Sequence, residues 1–233
     1  MTIKGKSMKK NSLIKNNTII LTALVSASLS FQSLAFNDDP LTTYIKDGQF
    51  VGKWQGNVGN GLNWNIPLKD RIGETERGNL QVKPSKKNKD GDAIHLKWRG
   101  KQVKNEWGGN ILYDSNFTIA KNQINIAPIE DQAALLIELK VNRSAKDNTT
   151  ITMECNYSSE CRGKFPVKTI INNLPKGEWT QLPIPLNCFN KDGKFDFSKV
   201  TSIFSIGTEG KLDIEISGIS LAALPQGSKG CKA

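Results

Sequence analysis

The sequence predicts an all-β sandwich behind an export signal. Three features point to the sandwich. Gly, Asn and Pro punctuate the chain about every ten residues, the segments between them alternate apolar and polar side chains, and no stretch beyond residue 35 carries a long helical period. Short strands spaced in this way build a sandwich or a barrel. A length of 233 residues allows one large domain or two small ones. It excludes a (β/α) barrel with a second domain attached.

The chain opens on the signal. Lys4, Lys6, Lys9, Lys10 and Lys15 form a basic start with no acid before residue 36. Residues 18–31 follow as an apolar stretch, broken by Thr and Ser and shorter than the ~20 residues a bilayer span needs. Ser33 and Ala35 then supply small residues at the two positions a signal peptidase reads. Residues 1–35 are therefore expected to be a signal peptide cut before Phe36, and the protein to be periplasmic or secreted. No Cys lies near the cut, which argues against a lipoprotein, and no later segment is apolar enough to span a membrane. The formal charge of +10 shrinks to +5 once the five leader lysines are set aside, leaving 27 basic and 22 acidic groups. That bias is too mild to predict a nucleic-acid partner.

Residues 36–44 read as a short linker, residues 45–225 as the sandwich domain, and residues 226–233 as a tail. Within the domain, residues 92–99 put Ile94, Leu96 and Trp98 on one face and His95, Lys97 and Arg99 on the other. Residues 83–92 are basic and polar and read as a solvated loop. Residues 134–141 are a nearly continuous apolar strand, and residues 149–154 alternate again. Residues 167–174 could make one short helical turn. Residues 179–186 are extended, and their two prolines place them at a sheet edge. Residues 196–200 could make a second helical turn capped by Asp196. Residues 202–207 and 212–217 are two further strands joined by a turn at 208–211.

Cys155, Cys161, Cys188 and Cys231 all follow the leader, and an even number in an exported chain implies two disulfides. Cys155 and Cys161 flank a turn-forming Asn-Tyr-Ser-Ser-Glu, which suits a local bridge. Cys188 would then pair with Cys231 and staple the tail, although four cysteines allow three pairings. A metal site is not expected, because there is no C-x-x-C spacing and a single His.

Little in the sequence points to catalysis. His95 has no Ser or Cys motif beside it, and no Gly-rich phosphate loop is present. Glycoside hydrolysis needs two carboxylates ~5–9.5 Å apart, and Glu106, Asp114, Asp131, Glu154 and Glu160 all read equally well as surface groups. The sequons at Asn116, Asn142, Asn148 and Asn156 matter only in a host that glycosylates Asn. The five tryptophans say more, since an indole stacks on the C–H face of a sugar while amides and carboxylates bind its hydroxyls. Trp98 belongs with the core, and Trp179 enters a packed strand. Trp107 sits in a polar, Gly-rich stretch beside Asn105, Glu106 and Asn110, a suitable sugar platform. Trp54 and Trp64 flank Gly-Asn-Val-Gly-Asn-Gly and could line the same end of the sandwich.

Four stretches carry a family resemblance: Trp98-Arg-Gly within its strand; Cys155 through Cys161-Arg-Gly; Leu174-Pro-Lys-Gly-Glu-Trp running on to Cys188-Phe; and residues 204–212. Over about residues 45–225 the chain resembles the C-terminal galactose-binding-like domain of bacterial family-three glycoside hydrolases of the ExoP type, which are exo-acting β-glucan glucohydrolases. The resemblance implies a jelly-roll sandwich and places the catalytic machinery elsewhere. In the full enzymes the nucleophile Asp stands in a Ser-Asp-Trp setting of a barrel domain, and that tripeptide is absent here. No cofactor is implied. Some similar jelly rolls hold a structural calcium, but no decisive calcium loop is present. The expectation is a non-catalytic protein that binds a β-glucan or related polysaccharide, with Trp107, Asn105, Glu106 and Asn110 first and Trp64 and Trp54 second. The alternatives are a docking module for a glycoside hydrolase and a small hydrolase of its own.

Overall fold

Along extended backbone, successive side chains point to opposite faces, so the apolar alternation decides which face of each strand is buried. A computed structural model of the protein describes residues 39–104, 107, 109–111, 114–225 and 227–231. The expected signal peptide lies outside the described residues. In chain order the strands are β1 (Thr43–Lys46), β2 (Gln49–Phe50), β3 (Gln55–Gly59), β4 (Ile66–Pro67), β5 (Gly73–Glu74), β6 (Leu80–Lys86), β7 (Asp90–Arg99), β8 (Val103–Lys104) and β9 (Asn110–Ile111). They continue with β10 (Ser115–Ile124), β11 (Ala133–Arg143), β12 (Thr149–Cys155), β13 (Arg162–Pro166), β14 (Trp179–Pro185), β15 (Val200–Thr208) and β16 (Lys211–Ala223). One six-residue helix, α1 (Lys168–Asn173), occupies the expected helical turn. A 3₁₀ turn at Phe197–Lys199 is capped by Asp196, whose side chain accepts from the Ser198 amide at 2.9 Å.

Among the described residues the strands form two antiparallel sheets. One has eight strands, in the order β14-β11-β16-β7-β6-β5 with β1 added on β16 and β2 on β1. The other has six, in the order β13-β12-β15-β10-β3-β4, and β8 pairs with β9 in a hairpin of its own. The expected all-β sandwich is therefore the fold. Leu135, Ile137, Leu139 and Val141 of β11 and Ile94, Leu96 and Trp98 of β7 face Phe117 and Ile119 of β10, Ile151 and Met153 of β12, and Phe204 and Ile206 of β15, all in one buried cluster. The Trp98 indole N–H donates to the Ser115 carbonyl at 2.7 Å. The largest core side chain of β7 is thus tied to the first residue of β10 in the opposite sheet, and its one polar atom is satisfied. β14 is an edge strand, as Pro183 and Pro185 require. The disulfides are Cys155–Cys161 and Cys188–Cys231.

Three boundaries differ from expectation. The linker at 36–44 already belongs to the sandwich by residue 39. Thr43–Lys46 pairs with β16, Tyr44 is fully buried edge-on to Trp54 at 5.2 Å, and the Pro40 carbonyl accepts the Trp54 indole N–H at 2.8 Å. The strand expected over 212–217 runs on to Ala223, because a register shift opposite Glu138 and Leu139 lets Ile216 and then Ile219 both face inward. The stretch 83–92 is not a loop but the closing hairpin of β6 and β7, with its turn at 87–89.

Asp92 holds that turn. Its buried carboxylate accepts from the backbone amides of Lys87 at 2.6 Å and of Asn88 and Lys89 at 2.9 Å each. Burial pushes its pKa up, but the amides of Lys87, Lys89 and Asn88 outweigh that and hold it at about 2, against an ordinary 3.8. A folded-state pKa below the unfolded one makes a contribution that is full above about pH 4. It is lost as the pH falls through about 2. The melting temperature of the wild type is expected to drop across this interval, and Asp92→Asn to remove that part of the drop. The check is a pair of thermal melts from pH 5 to pH 2, and parallel curves for the two proteins would contradict the assignment.

Candidate functional site

The register that buries one face of the six-stranded sheet sets out the other face in rows. Asn57, Thr118, Ser205, Thr152 and Lys164 are successive partners across β3, β10, β15, β12 and β13. Asn116, Gly207 and Thr150 form a row on one side of them, and Ala120, Ser202, Glu154 and Arg162 a row on the other. All twelve line a groove of about 850 Å³ that crosses this sheet. At ~4.8 Å per strand, five strands give it a span of ~19 Å. At Gly207 a Cβ would stand 3.1 Å from the Asp114 carboxylate, so the missing side chain is what lets Asp114 lie against β15.

The lining is rich in hydroxyls and carboxamides, and its charges nearly cancel. Asp114, Asp147, Glu154 and Glu209 stand against Arg162, Lys164 and Lys168. Arg162 donates from Nε to Glu154 at 2.8 Å. Thr118 and Ser205 share a hydrogen bond of 2.8 Å. The Asp114 carboxyl is held above its ordinary range, first by desolvation in the groove wall and then by the neighbouring Glu209, with Lys164 opposing.

Two exposed aromatic side chains border the groove. Trp64, 81% exposed, sits on the β3–β4 connection. Asn60 braces that loop: its Oδ1 accepts from the amides of Leu62 at 3.0 Å and Asn63 at 3.1 Å, and its Nδ2 donates to the Glu76 carbonyl at 2.8 Å. The loop folds so closely on β3 that a Cβ at Gly59 would lie 2.1 Å from the Trp64 carbonyl oxygen. Tyr157, 69% exposed, borders the groove beyond β12. It shares a left-handed turn with Asn156 (φ 53° and 55°) inside the loop closed by Cys155–Cys161. The Tyr157 amide donates to Thr201 Oγ1 at 3.2 Å, and the Asn156 amide to the Lys199 carbonyl at 3.0 Å.

Of the residues singled out from sequence for sugar binding, only Trp64 lines this groove; Asp114 and Glu154, named there as ordinary carboxylates, line it too. Trp54 is corrected: it is 2% exposed in the core, and its indole N–H is bound to Pro40, so it presents no face to a ligand. Trp107 is 91% exposed in the turn between β8 and β9 and does not line the groove. Asn105 and Glu106 lie outside the described residues, and Asn110 contributes a backbone position in β9. Trp98 is core, and Trp179 is half-buried under the ammonium groups of Lys87 and Lys140. His95 binds Asp213 at 2.8 Å, whereas Ser85 binds Glu215, so no Ser-His-Asp relay forms there. Among the described residues, no three His, Cys, Asp or Glu are grouped to hold a metal ion, and no helix is long and apolar enough to cross a membrane. Sequence reasoning missed Asn57, Asn116, Thr118, Thr152 and Ser205. Their one signal was their place on the polar side of each alternating strand, which any solvated face shares.

The comparisons agree with this geometry. The family model Exop_C, described as galactose-binding domain-like, matches residues 54–221. The extra C-terminal domain of the exo-1,3/1,4-β-glucanase ExoP from a Pseudoalteromonas species superposes with a TM-score of 0.60 at 10% identity, over 81% of this chain and 95% of that one. The whole ExoP enzyme gives 0.59 at 12% identity, over 81% of this chain and 21% of that one. A family 30 carbohydrate-binding module of the cellulosomal cellulase Cel9D-Cel44B of Clostridium thermocellum gives 0.53 at 15% identity, over 80% and 98%. At these identities the shared property is the fold. No curated protein sequence matches the chain.

The Gly59 contact makes a direct prediction. Backbone blocks the space a methyl group would take, so Gly59→Ala must displace the Trp64 loop. A destabilisation of about 1–3 kcal/mol is expected from such overpacking. Chemical denaturation measures it, and an unchanged midpoint would show that the loop shifts freely.

Proposed function

The chain belongs to the Exop_C family of galactose-binding-like domains, and on that premise we propose that it binds carbohydrate without cleaving it, in the groove over the six-stranded sheet. One observation carries this reading: a long, open floor of hydroxyl and carboxamide side chains with the exposed indole of Trp64 at its edge. An indole takes the apolar face of a sugar ring, and the floor takes hydroxyls at many angles. The near balance of charge favours a neutral glycan over an anionic one. The similar solved domains add the ligand class, since one is part of an exo-1,3/1,4-β-glucanase and another is a carbohydrate-binding module. A β-glucan is the first ligand to try. The Trp107 turn, with Asn105, Glu106 and Asn110, is the rival position.

Two disulfides fit an oxidising compartment. Export with cleavage before Phe36, to the periplasm or beyond, is part of the proposal. A second reading, docking to a glycoside hydrolase, draws on the ExoP enzyme, where a domain of this fold occupies a fifth of a larger chain.

The test is affinity electrophoresis of Phe36–Ala233, disulfides formed, in gels carrying soluble polysaccharides. Retardation by a mixed-linked β-glucan is expected. Trp64→Ala should weaken it tenfold or more, and Trp107→Ala should leave it intact. The reverse pattern moves the site to the β8–β9 turn. Absence of retardation by every polysaccharide, together with recovery of a glycosidase by pull-down, would replace sugar binding with docking.

A further inference from the structure

We propose that Asn57 is the specificity-determining residue of the groove: its carboxamide oxygen accepts a hydrogen bond from one hydroxyl of the sugar ring that stacks on Trp64. This deepens the carbohydrate-binding reading and rests on it.

Asn57 lies in the middle of β3, 4% exposed, and lines the groove. Among the described buried side-chain nitrogen and oxygen atoms, its Oδ1 is the one with no hydrogen-bond partner. Buried polar groups are almost always paired, and one left without a partner calls for an explanation. The protein around it offers none. Across one strand boundary its register partner is Pro67, which has no N–H. Across the other is Thr118, whose hydroxyl is already engaged with Asn116 Oδ1 at 3.2 Å and Ser205 Oγ at 2.8 Å. Beneath lie Val58 and the apolar core. The open side is the groove, under the Trp64 loop.

The other buried polar side chains of this floor are committed internally. Ser202 donates to the Ile119 carbonyl at 3.1 Å, and Thr201 donates to the Glu154 carbonyl at 3.3 Å while accepting from the Tyr157 amide. They shape the groove, whereas Asn57 has bonding capacity left for a ligand. The terminal torsion of an Asn is broad and two-fold, so the carboxamide can turn its oxygen to a donor that arrives from the groove. An acceptor in an uncharged setting selects a neutral O–H donor, and a sugar hydroxyl beside an indole is that donor. A site built to bond a hydroxyl rejects the analogue lacking it far more strongly than an apolar pocket rejects a missing methylene.

The experiment is isothermal titration of the oxidised protein with β-1,3/1,4-linked glucotetraose and with its singly deoxygenated analogues. In the wild type, one deoxygenated position is expected to cost tenfold or more in affinity and the others little. Asn57→Ala is expected to bind the parent tenfold or more weakly, to lose discrimination at that one position, and to melt no lower than the wild type, because an unsatisfied buried acceptor has been removed. A structural Asn57 would instead lower the melting temperature and leave affinity unchanged, which overturns the proposal. A flat deoxygenation series in the wild type overturns it whether or not the variant folds. If Trp64→Ala abolishes binding while Asn57→Ala does not, the Asn57 assignment alone falls. If the wild type binds no polysaccharide, both readings fall.

Discussion

Everything else in this molecule depends on the two-residue period of its strands, locked in register by the core. Phe117 and Ile119 can be inside only if Asn116 and Thr118 are outside, and the same holds for Ile151 and Met153 against Thr150 and Thr152. A slip of one residue in β10 would send Phe117 and Ile119 into water and the groove floor into the core. The Trp98–Ser115 hydrogen bond guards against that slip, because it ties the start of β10 to the opposite sheet. The groove is thus the outer side of the packing that folds the chain, and it needs no separate stabilising device for its floor.

The outer face of the eight-stranded sheet differs from the groove floor in how its polar side chains are paired. There Lys140 meets Glu215 at 2.8 Å, Glu215 also takes Ser85 and Asn142, His95 meets Asp213 at 2.8 Å, and Lys87 meets Glu138, which also takes Ser217. Burial pushes the Glu215 carboxyl up, but Lys140, Ser85 and Asn142 prevail and hold it below its ordinary range. Donors and acceptors on that face have already found one another across the strands. On the six-stranded face the polar side chains are shorter and more often uncharged, and one buried oxygen is left over. Self-satisfaction on one face and a leftover buried acceptor on the other are what favour the groove in the proposed reading.

The strands and the Cys155–Cys161 pair were legible because they are local, whereas Cys188–Cys231, 43 residues apart, followed only as the remaining pair. Alternation in residues 92–99 and 149–154 shows directly, and the six-residue spacing of Cys155 and Cys161 reads as a turn. What escaped depends on distant partners. Tyr44 looked like linker because its burial comes from Trp54 and from β16. Trp54 looked exposed beside its Gly- and Asn-rich neighbours because its indole partner, the Pro40 carbonyl, is a backbone atom that leaves no mark in the sequence. The hairpin at 83–92 hid behind its lysines, since a strand near a sheet edge carries charge on the face it shows to water. The second half of β16 was lost where a bulge shifts the alternation by one residue. The groove was illegible for a similar reason: Asn57, Thr118, Ser205, Thr152 and Lys164 are adjacent only through four strand pairings, and each alone is an ordinary outward polar residue.

The aromatic side chains at the groove edge stand on loops, yet neither loop is loose. The Trp64 loop is held by three hydrogen bonds of the Asn60 side chain and by its close approach to Gly59. The Tyr157 loop turns through two non-glycine residues in the left-handed region, a conformation that persists only where its surroundings enforce it. Here the enforcement is the Cys155–Cys161 bridge together with the hydrogen bonds to Thr201 and Lys199. For the proposed ligand, side chains already set in this way would spare the ordering entropy that weakens recognition by mobile loops. While the Cys155–Cys161 bridge is intact, the loop it closes holds Tyr157 at the groove edge, so the shape of that edge depends on the disulfide.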